Sequence, residues 1–335
     1  MKTNLLLIAA VLLLGECVAQ SWVPKSNVPP NYRQYAVGVY LNDKAYVGTG
    51  QTSAGLASDF WEFDPMLNTW TQKASLFNPT CEATTFTVLG KIYISGGMGQ
   101  TYALREYDPA LNTWTLKANS PATSFYASAI GIGDKGYVFG GTGQACMEYN
   151  PATDTWATLP TIPSTGTYPI LFSIADKAYV GLTNGFYEYD PANFLWTIKQ
   201  NFPGPTYGSR GFAINGMGYA GLGNSSVNLY KYNPLTDSWT IVPVNFPAGV
   251  RNYPVAFASA DKGYYGTGGT FNDFWEFTPE VTTSVNPAQS AEEAITLSTG
   301  VAGNYFLNIG LASPQSFTLN IFSADGKKVS GKNYS

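Results

Sequence analysis

Two arginines and a set of tyrosines recur at matching points of this chain, and their types suit the binding of a ligand. Arg33 and Arg251 are two of only four arginines, and a tyrosine follows each of them two positions later. Guanidinium groups bind carboxylates through paired hydrogen bonds, and tyrosine offers an aromatic face with a hydroxyl. Residues at the corresponding positions of other repeats in the chain complete the set. The candidate ligand-binding residues are Arg33, Tyr35, Glu82, Tyr126, Tyr168, Arg251 and Tyr253. This set suits a ligand that carries a carboxylate or many hydroxyls.

The two arginines also have a structural interpretation, in which they bond the carbonyls of neighbouring repeats and hold the fold together. A structural role is also favoured for the glutamates that recur in five of six repeats. A residue that is repeated in this way is required by the repeat itself and not by a single site. These glutamates are Glu62, Glu106, Glu148, Glu188 and Glu276.

The composition excludes several kinds of chemistry. The 335 residues contain no histidine, which removes Ser-His-Asp and Cys-His catalysis and the commonest transition-metal ligand. No cysteine pair has metal-ligand spacing, and no phosphate-binding or dinucleotide motif occurs, so we expect no metal and no cofactor. The net charge is −4 without a basic run, which argues against nucleic acid as a partner. Cys81 and Cys146 are interpreted as two packed thiols, with a disulfide between them as the alternative.

The elements that must position the candidate residues are short strands that repeat every roughly 40–48 residues, a period typical of repeat architectures. An aromatic–polar alternation ends at Asp-Pro or Asn-Pro and resumes at Trp-Thr, first in Phe60–Pro65 with Trp70. Upstream of each copy lies a Tyr-Val strand that follows Asn, Asp or Gly, as in a hairpin turn. Each repeat therefore has four strands.

These landmarks resemble the kelch repeat. The resemblance rests on the Gly96-Gly97 and Gly140-Gly141 pairs after the second strand, on the Tyr/Phe-Asp/Asn-Pro motif, and on the tryptophan beyond it. It implies an all-β fold, a six-bladed kelch-type β-propeller over residues 20–280. It also implies that arginines at the blade starts often hold the ring.

The count of landmarks predicts how the ring closes. Six Tyr-Val strands and six aromatic-Pro strands occur, but Trp22 precedes every other element and the sixth repeat lacks a tryptophan. We therefore predict that the N-terminal strand completes the last blade, which leaves no open edge between first and last blades. The alternative, five blades and a stray strand, leaves both ends unpaired.

Spacing separates two faces of the predicted propeller. The distance along the chain from each first strand to the second-strand tyrosine is constant, as is that from third strand to tryptophan. The connections from second to third strand vary, and the longest is Gly48–Phe60. We expect the variable connections on one face, where function usually lies on a rigid frame.

The two ends of the chain predict export. Lys2 and the apolar run Leu5–Leu14, too short for a permanent membrane helix, indicate a signal peptide over residues 1–19, cleaved after Ala19. The alternative, a lipoprotein modified at Cys17, is disfavoured by Glu16. We expect no membrane insertion after cleavage.

After the repeats, residues 281–292 have the composition of a linker. Residues 293–335 contain the alternating runs Tyr305–Ile309 and Phe317–Phe322, and they resemble the sorting domain of type IX secretion cargo. This resemblance implies a small, partial β-sandwich module and passage across an outer membrane. The expected location is extracellular or on the cell surface, with the periplasm as the alternative.

Two functions follow. The favoured one is a secreted or surface-attached monomeric binding module that recognises a protein or carbohydrate ligand on its variable-loop face. The alternative is a sugar isomerase that resembles the kelch-type sialic acid mutarotase, with Glu82 near Arg33 as acid/base group. Copper oxidase chemistry of the galactose oxidase type is excluded because it needs histidine.

Overall fold

The computed structural model describes residues 20–223 and 225–280, and the backbone of four strands between residues 294 and 334. The predicted signal peptide (1–19) and linker (281–292) lie outside the described residues. Gln20–Pro279 forms one compact unit, and the chain from Glu280 onward belongs to a second. All regular structure in the described residues is β-strand, and they contain no helix long and apolar enough to span a membrane.

Six four-stranded antiparallel sheets make Gln20–Pro279 a six-bladed β-propeller. The first strand, β1 (Ser21–Lys25), belongs to blade 6. Blade 1 and the small hairpin in its long connection comprise β2 (Val37–Leu41), β3 (Lys44–Gly48), β4 (Gln51–Thr52), β5 (Gly55–Leu56), β6 (Phe60–Asp64) and β7 (Thr69–Lys73). Blade 2 comprises β8 (Thr84–Val88), β9 (Lys91–Ser95), β10 (Leu104–Asp108) and β11 (Thr113–Lys117). Blade 3 comprises β12 (Ala127–Ile132), β13 (Lys135–Gly140), β14 (Ala145–Asn150) and β15 (Thr155–Thr158).

The other three blades follow the same order. Blade 4 comprises β16 (Ile170–Ile174), β17 (Lys177–Leu182), β18 (Gly185–Asp190) and β19 (Leu195–Lys199). Blade 5 comprises β20 (Arg210–Ile214), β21 (Met217–Gly221), β22 (Leu229–Asn233) and β23 (Ser238–Ile241). Blade 6 adds to β1 the strands β24 (Val255–Ala258), β25 (Gly263–Gly266) and β26 (Phe274–Thr278).

The ring closes through the N-terminal strand. β1 pairs antiparallel with β26, with Trp22 opposite Phe277, so blade 6 has the order β1-β26-β25-β24. Trp22 also packs on Phe246 and Tyr265, with ring centroids 5.1 and 6.2 Å away. The predicted closure is confirmed, and the alternative of five blades is wrong.

The innermost strand of each blade begins later than the sequence predicts. The blade-start residues, such as Arg33 and Arg251, precede β2 and β24 by four residues. The intervening segment is irregular because one residue in it, such as Tyr35 or Tyr253, adopts left-handed backbone, which cannot continue a strand ladder.

The Asp/Asn-Pro motif forms the turn between third and fourth strands. In blade 1, Asp64 Oδ1 accepts hydrogen bonds from the amides of Met66 and Leu67, at 2.9 and 3.1 Å. Pro65 cannot donate to a strand ladder, so the third strand ends there. The equivalent residues that accept the amide two positions on are Asp108, Asn150, Asp190 and Asn233.

A left-handed residue completes each of these turns two positions before the tryptophan. We call this set the turn ring: Asn68, Asn112, Asp154, Phe194 and Asp237. Four of the five side chains accept a hydrogen bond from an amide of the preceding blade, as Asn112 does from Ala74 at 2.8 Å. In blade 4 the partner position is Pro160, which has no amide hydrogen, and there the turn residue is Phe194.

The repeated tryptophans and glutamates are structural. Trp70 Nε1 donates to the carbonyl of Ser26 in blade 6 at 2.8 Å, and the four later tryptophans make the equivalent bond to the preceding blade. Glu62 accepts a hydrogen bond from the hydroxyl of Tyr46 in its own blade at 2.7 Å, and four other blades repeat this pair. These contacts give the glutamates the structural role predicted from the sequence.

Cys81 and Cys146 are buried and carry no disulfide. Burial raises the pKa of each thiol to about 11, so both are held as neutral packing groups.

Beyond Glu280 the described backbone consists of two antiparallel strand pairs. β27 (Ala294–Thr299) pairs with β28 (Tyr305–Gly310), and β29 (Phe317–Phe322) pairs with β30 (Lys328–Tyr334). Both runs predicted as strands in this region are therefore strands.

Candidate functional site

Six equivalent residues stand one or two positions before the innermost strands, at the end of the central channel that faces the variable connections. We call them the mouth ring: Tyr35, Glu82, Tyr126, Tyr168, Gly208 and Tyr253. All six have left-handed backbone, with φ between 54° and 71°. Backbone hydrogen bonds join neighbouring members, from the Tyr35 amide to the Tyr253 carbonyl at 3.2 Å and from Glu82 to Tyr35 at 3.1 Å. Glycine and asparagine suit this conformation, whereas tyrosine is unfavourable in it. The presence of four tyrosines therefore needs a reason other than the backbone conformation.

The four tyrosines of the ring pack together over the channel. We call Tyr35, Tyr126, Tyr168 and Tyr253 the tyrosine cluster. Tyr35 stacks on Tyr253 with ring centroids 4.1 Å apart, and Tyr168 reaches Tyr126 at 4.7 Å and Tyr253 at 5.0 Å. Tyr207, which is exposed, adds a hydrogen bond between its hydroxyl and that of Tyr253. The sequence prediction that these tyrosines meet at the channel mouth agrees with this geometry.

Glu82 is the carboxylate beneath the tyrosine cluster. Its side chain is buried, and the Tyr168 hydroxyl lies 3.5 Å from Oε1. Oε2 is buried without a hydrogen-bond partner among the described residues. Desolvation raises the pKa of Glu82, although hydrogen bonding from the Tyr126 and Tyr168 hydroxyls opposes this rise. Glu82 therefore keeps an acceptor oxygen free at a site where its charge is poorly solvated.

Arg210 is a member of the site that the sequence analysis missed. It opens β20 at the repeat position that carries Val37 in blade 1 and Ser128 in blade 3. Its Nε donates to the carbonyl of Pro254 at 3.0 Å, and its guanidinium lies 5.7 Å from the Tyr168 ring centroid. Desolvation lowers the pKa of Arg210, but guanidinium groups remain protonated in proteins. The sequence does contain a signal that could have identified Arg210, because it is a charged residue at a repeat position that is apolar or hydroxylic in the other blades.

Beneath the cluster the channel holds two cavities. The upper one, about 120 Å³, is lined by three of the cluster's tyrosines (all but Tyr253), by Glu82 and Arg210, and by small residues such as Ala83 and Gly211. The lower one, about 270 Å³, is lined by residues further along the same strands, among them Tyr40 and Thr87. Only the upper cavity combines a carboxylate with a guanidinium.

Arg33 and Arg251 do not line either cavity, which corrects the expectation that their guanidiniums sit at the channel mouth. Arg33 has no exposed surface and donates to both carboxylate oxygens of Asp59, at 3.0 and 2.7 Å. Arg251 is equally buried and pairs in the same way with Asp273. Their burial favours the structural interpretation of these two arginines, with the difference that the partners are carboxylates within the blade as well as carbonyls.

No group of three acidic or cysteine side chains that could hold a metal ion occurs in the described part of the chain.

Comparisons with known proteins add one finding about the fold. No protein-family model matches the chain, and no curated protein matches it by sequence. A solved structure described as "Structure of YjhT" is similar with a TM-score of 0.61 and 17% identity, over 76% of this chain and 95% of that one. At this identity the likeness supports the propeller fold alone.

Proposed function

We propose that this protein is an exported kelch-type propeller that binds a carbohydrate over the mouth of its channel. The observation that carries the proposal is the mouth ring, where four tyrosines and a glutamate occupy left-handed positions that favour glycine. Residues held in unfavourable backbone regions cluster at ligand sites because the surrounding structure must hold them there.

The chemistry of the site suits a sugar. Tyrosine presents an aromatic face for the C–H side of a pyranose and a hydroxyl for its polar edge, at low conformational entropy cost. Glu82 Oε2 is an acceptor without a partner among the described residues, and the Arg210 guanidinium is a donor in the same cavity. These groups match the mixed donors and acceptors of a polyhydroxylated ligand.

The size of the cavity supports a ligand that lies over the mouth and not inside the channel. Pockets that enclose small molecules measure about 300–1,000 Å³. The cavity beneath the tyrosine cluster is only about 120 Å³. A sugar therefore rests on the cluster with one substituent directed toward Glu82.

A glycan array followed by calorimetric titration of its best ligand tests this proposal. Tyr126→Gly introduces the residue that blade 5 carries as Gly208, so the left-handed backbone is kept while one aromatic face is lost. We expect binding to weaken at least tenfold, about 1.4 kcal/mol. The matched control is Asn215→Gly, which changes a left-handed residue in a hairpin turn remote from the mouth ring and leaves affinity unchanged. A protein that binds no glycan, or a Tyr126→Gly variant with full affinity, would overturn the proposal; capture of a protein on the same face would favour the other ligand class.

The second candidate is a sugar isomerase. The raised pKa of Glu82 favours it, because a general acid or base works best when its pKa approaches the working pH. Anomer interconversion of the bound sugar, followed by NMR with wild-type protein and Glu82→Gln, separates the two candidates. An isomerase accelerates interconversion and loses this activity in Glu82→Gln, whereas a binding module accelerates nothing.

Export is the remaining part of the proposal. It is supported by the signal-peptide pattern of residues 1–19 and by the resemblance of residues 293–335 to a type IX sorting domain. Expression with and without residues 293–335, followed by fractionation of medium, cell surface and periplasm, tests it. Unchanged distribution of the truncated protein would contradict a sorting role.

A further inference from the structure

Three of the four arginines place a guanidinium at the same point of three different blades. Arg33 Nη1 donates to the carbonyl of Thr49 at 2.9 Å, and Arg251 Nη1 to that of Thr267 at 3.3 Å. Arg105 Nη1 donates to the carbonyl of Gly96 at 3.3 Å. These three carbonyls are equivalent, because each belongs to the residue that directly follows the second strand of its blade.

The three blades differ in what neutralises the guanidinium. In blades 1 and 6 the amides of Thr49 and Thr267 bond the carbonyls of Asp59 and Asp273, and these aspartates also pair with the arginines. In blade 2 the amide of Gly96 bonds the carbonyl of Ala103 at 2.9 Å, so alanine occupies the aspartate position.

Arg105 consequently has no carboxylate partner within residues 20–223 and 225–280. Its side chain is 1% exposed, and its Nη2 is buried without a hydrogen-bond partner in that part of the chain. Desolvation lowers the pKa of Arg105, yet a guanidinium stays protonated in a protein. A charge that is buried in this way is ordinarily paired.

We propose that blade 2 binds a small monovalent anion, a halide or a carboxylate no larger than formate or acetate, against Arg105. The anion takes the place that the aspartate carboxylate holds in blades 1 and 6. It must be small because Arg105 is almost fully enclosed and because the missing group is a single carboxylate. A large or multiply charged anion would carry too much hydration to lose at such a site.

A pair of hydroxyls beside Gly96 supplies a further donor. Ser95 Oγ and Ser124 Oγ lie 2.9 Å apart, and both side chains are buried. Their mutual bond uses only one of the two hydroxyl hydrogens. Ser124 Oγ lies so close to Gly96 that a Cβ there would meet it at 2.4 Å. The second hydroxyl hydrogen is thus available near the carbonyl that Arg105 contacts.

Thermal unfolding of the full chain in sodium chloride, compared with sodium gluconate at equal ionic strength, tests the proposal. Gluconate is too large for an enclosed site. We expect the melting temperature of the wild type to rise by a few degrees with chloride or formate concentration, because an anion bound only to the folded state stabilises it.

The variants that test the proposal introduce into blade 2 the residues that other blades carry at the same positions. Ala103→Asp introduces the carboxylate of blades 1 and 6, and we expect it to raise the melting temperature in gluconate and to abolish the chloride dependence. The matched control is Ala145→Asp, at the same position of blade 3, where Met147 stands in place of the arginine. It should gain nothing in gluconate.

Arg105→Met, which copies blade 3, keeps the test decisive if Ala103→Asp fails to fold. It should lose the chloride dependence. Crystals soaked in bromide should show an anomalous peak within hydrogen-bond distance of Arg105 Nη2. A chloride response equal in wild type and Arg105→Met, or a water molecule at that point in bromide crystals, would overturn the proposal.

Discussion

The propeller carries two rings of left-handed residues, and the chemistry of their side chains differs. The turn ring uses asparagine or aspartate in four of its five blades, and those side chains bond the preceding blade. Asparagine and aspartate tolerate this backbone best after glycine. The mouth ring uses tyrosine four times and glutamate once for the same backbone.

This difference separates residues that the architecture requires from residues that it only tolerates. In the turn ring, the one exception, Phe194, occurs where Pro160 removes the amide that the side chain would accept. In the mouth ring the tyrosine side chains contact one another and Glu82 instead. We infer that the turn ring serves the fold and the mouth ring serves binding.

The largest effect is expected when a tyrosine, the common residue of the mouth ring, is introduced into the turn ring. Asn112→Tyr removes the acceptor for the Ala74 amide and the Tyr107 hydroxyl and adds a bulky side chain at positive φ. We expect a loss of about 2 kcal/mol in the free energy of unfolding. Denaturant unfolding measures it, with Asn112→Gly as the control that keeps the backbone. Equal stability of Asn112→Tyr and wild type would mean that tyrosine is not costly in this conformation.

Stacking in the tyrosine cluster should offset part of this cost at the mouth. A double-mutant cycle with Tyr35→Gly and Tyr253→Gly isolates the interaction between two rings whose centroids are 4.1 Å apart. The expected coupling is about 0.5–1.5 kcal/mol in unfolding free energy. The pair Tyr35 and Asn215, which lie on different faces, serves as an uncoupled control. If the effects of the two single changes on the free energy of unfolding were additive, stacking between the rings would not explain why tyrosine occupies these positions.

The exception in the turn ring offers the reverse test. Phe194→Asn should raise the free energy of unfolding by up to about 1 kcal/mol, because asparagine tolerates left-handed backbone. The gain stays small since Pro160 offers no amide to bond. Thermal unfolding measures it, and Phe194→Ala reports how much comes from removing an exposed aromatic ring. A destabilised Phe194→Asn would show that the phenylalanine has a role of its own.

The smallest effect is a pH dependence that Glu82 gives to the mouth ring. The pKa of Glu82 in the folded chain lies above its ordinary value of 4.5, so the folded state holds the proton more tightly than the unfolded state. The contribution of Glu82 to stability is therefore greatest below pH 4.5 and is lost as the pH rises through the raised pKa. We expect Glu82→Gln to gain stability relative to wild type over that rise, measured as melting temperature against pH. A constant difference between the two proteins across the range would contradict it.

The sequence was sufficient to predict the blades because their landmarks obey a period. Proline, tryptophan and the hairpin residues each impose a local geometry, and Trp22 without a partner motif could be placed only in blade 6. The pairing of β1 with β26 is the direct consequence.

The site was harder to predict because spacing gives position along the chain but not the direction of a side chain. Arg33 and Tyr35 are two residues apart, yet left-handed backbone at Tyr35 separates a guanidinium inside the blade from a ring over the channel. Asp59 and Asp273, which hold the arginines, stand directly before the third strand at a position where the other blades carry alanine, glycine or asparagine. Arg210 escaped notice because its position is apolar or hydroxylic in the other blades.

The tryptophans that bridge the blades have a consequence for the order of events in folding. Five of them donate an indole hydrogen to the preceding blade, but Trp22 Nε1 is buried without a partner among the described residues. The seam between blades 5 and 6 therefore lacks this indole bond and is held by the hydrogen bonds from Arg210 to Pro254 and from Tyr265 to Leu222, together with aromatic packing against Phe246. On the ribosome β1 emerges before all other propeller strands and must wait for β26, almost the whole ring later. It is thus the last strand to dock, and without the indole bond it is the outer strand whose amides should exchange with solvent first.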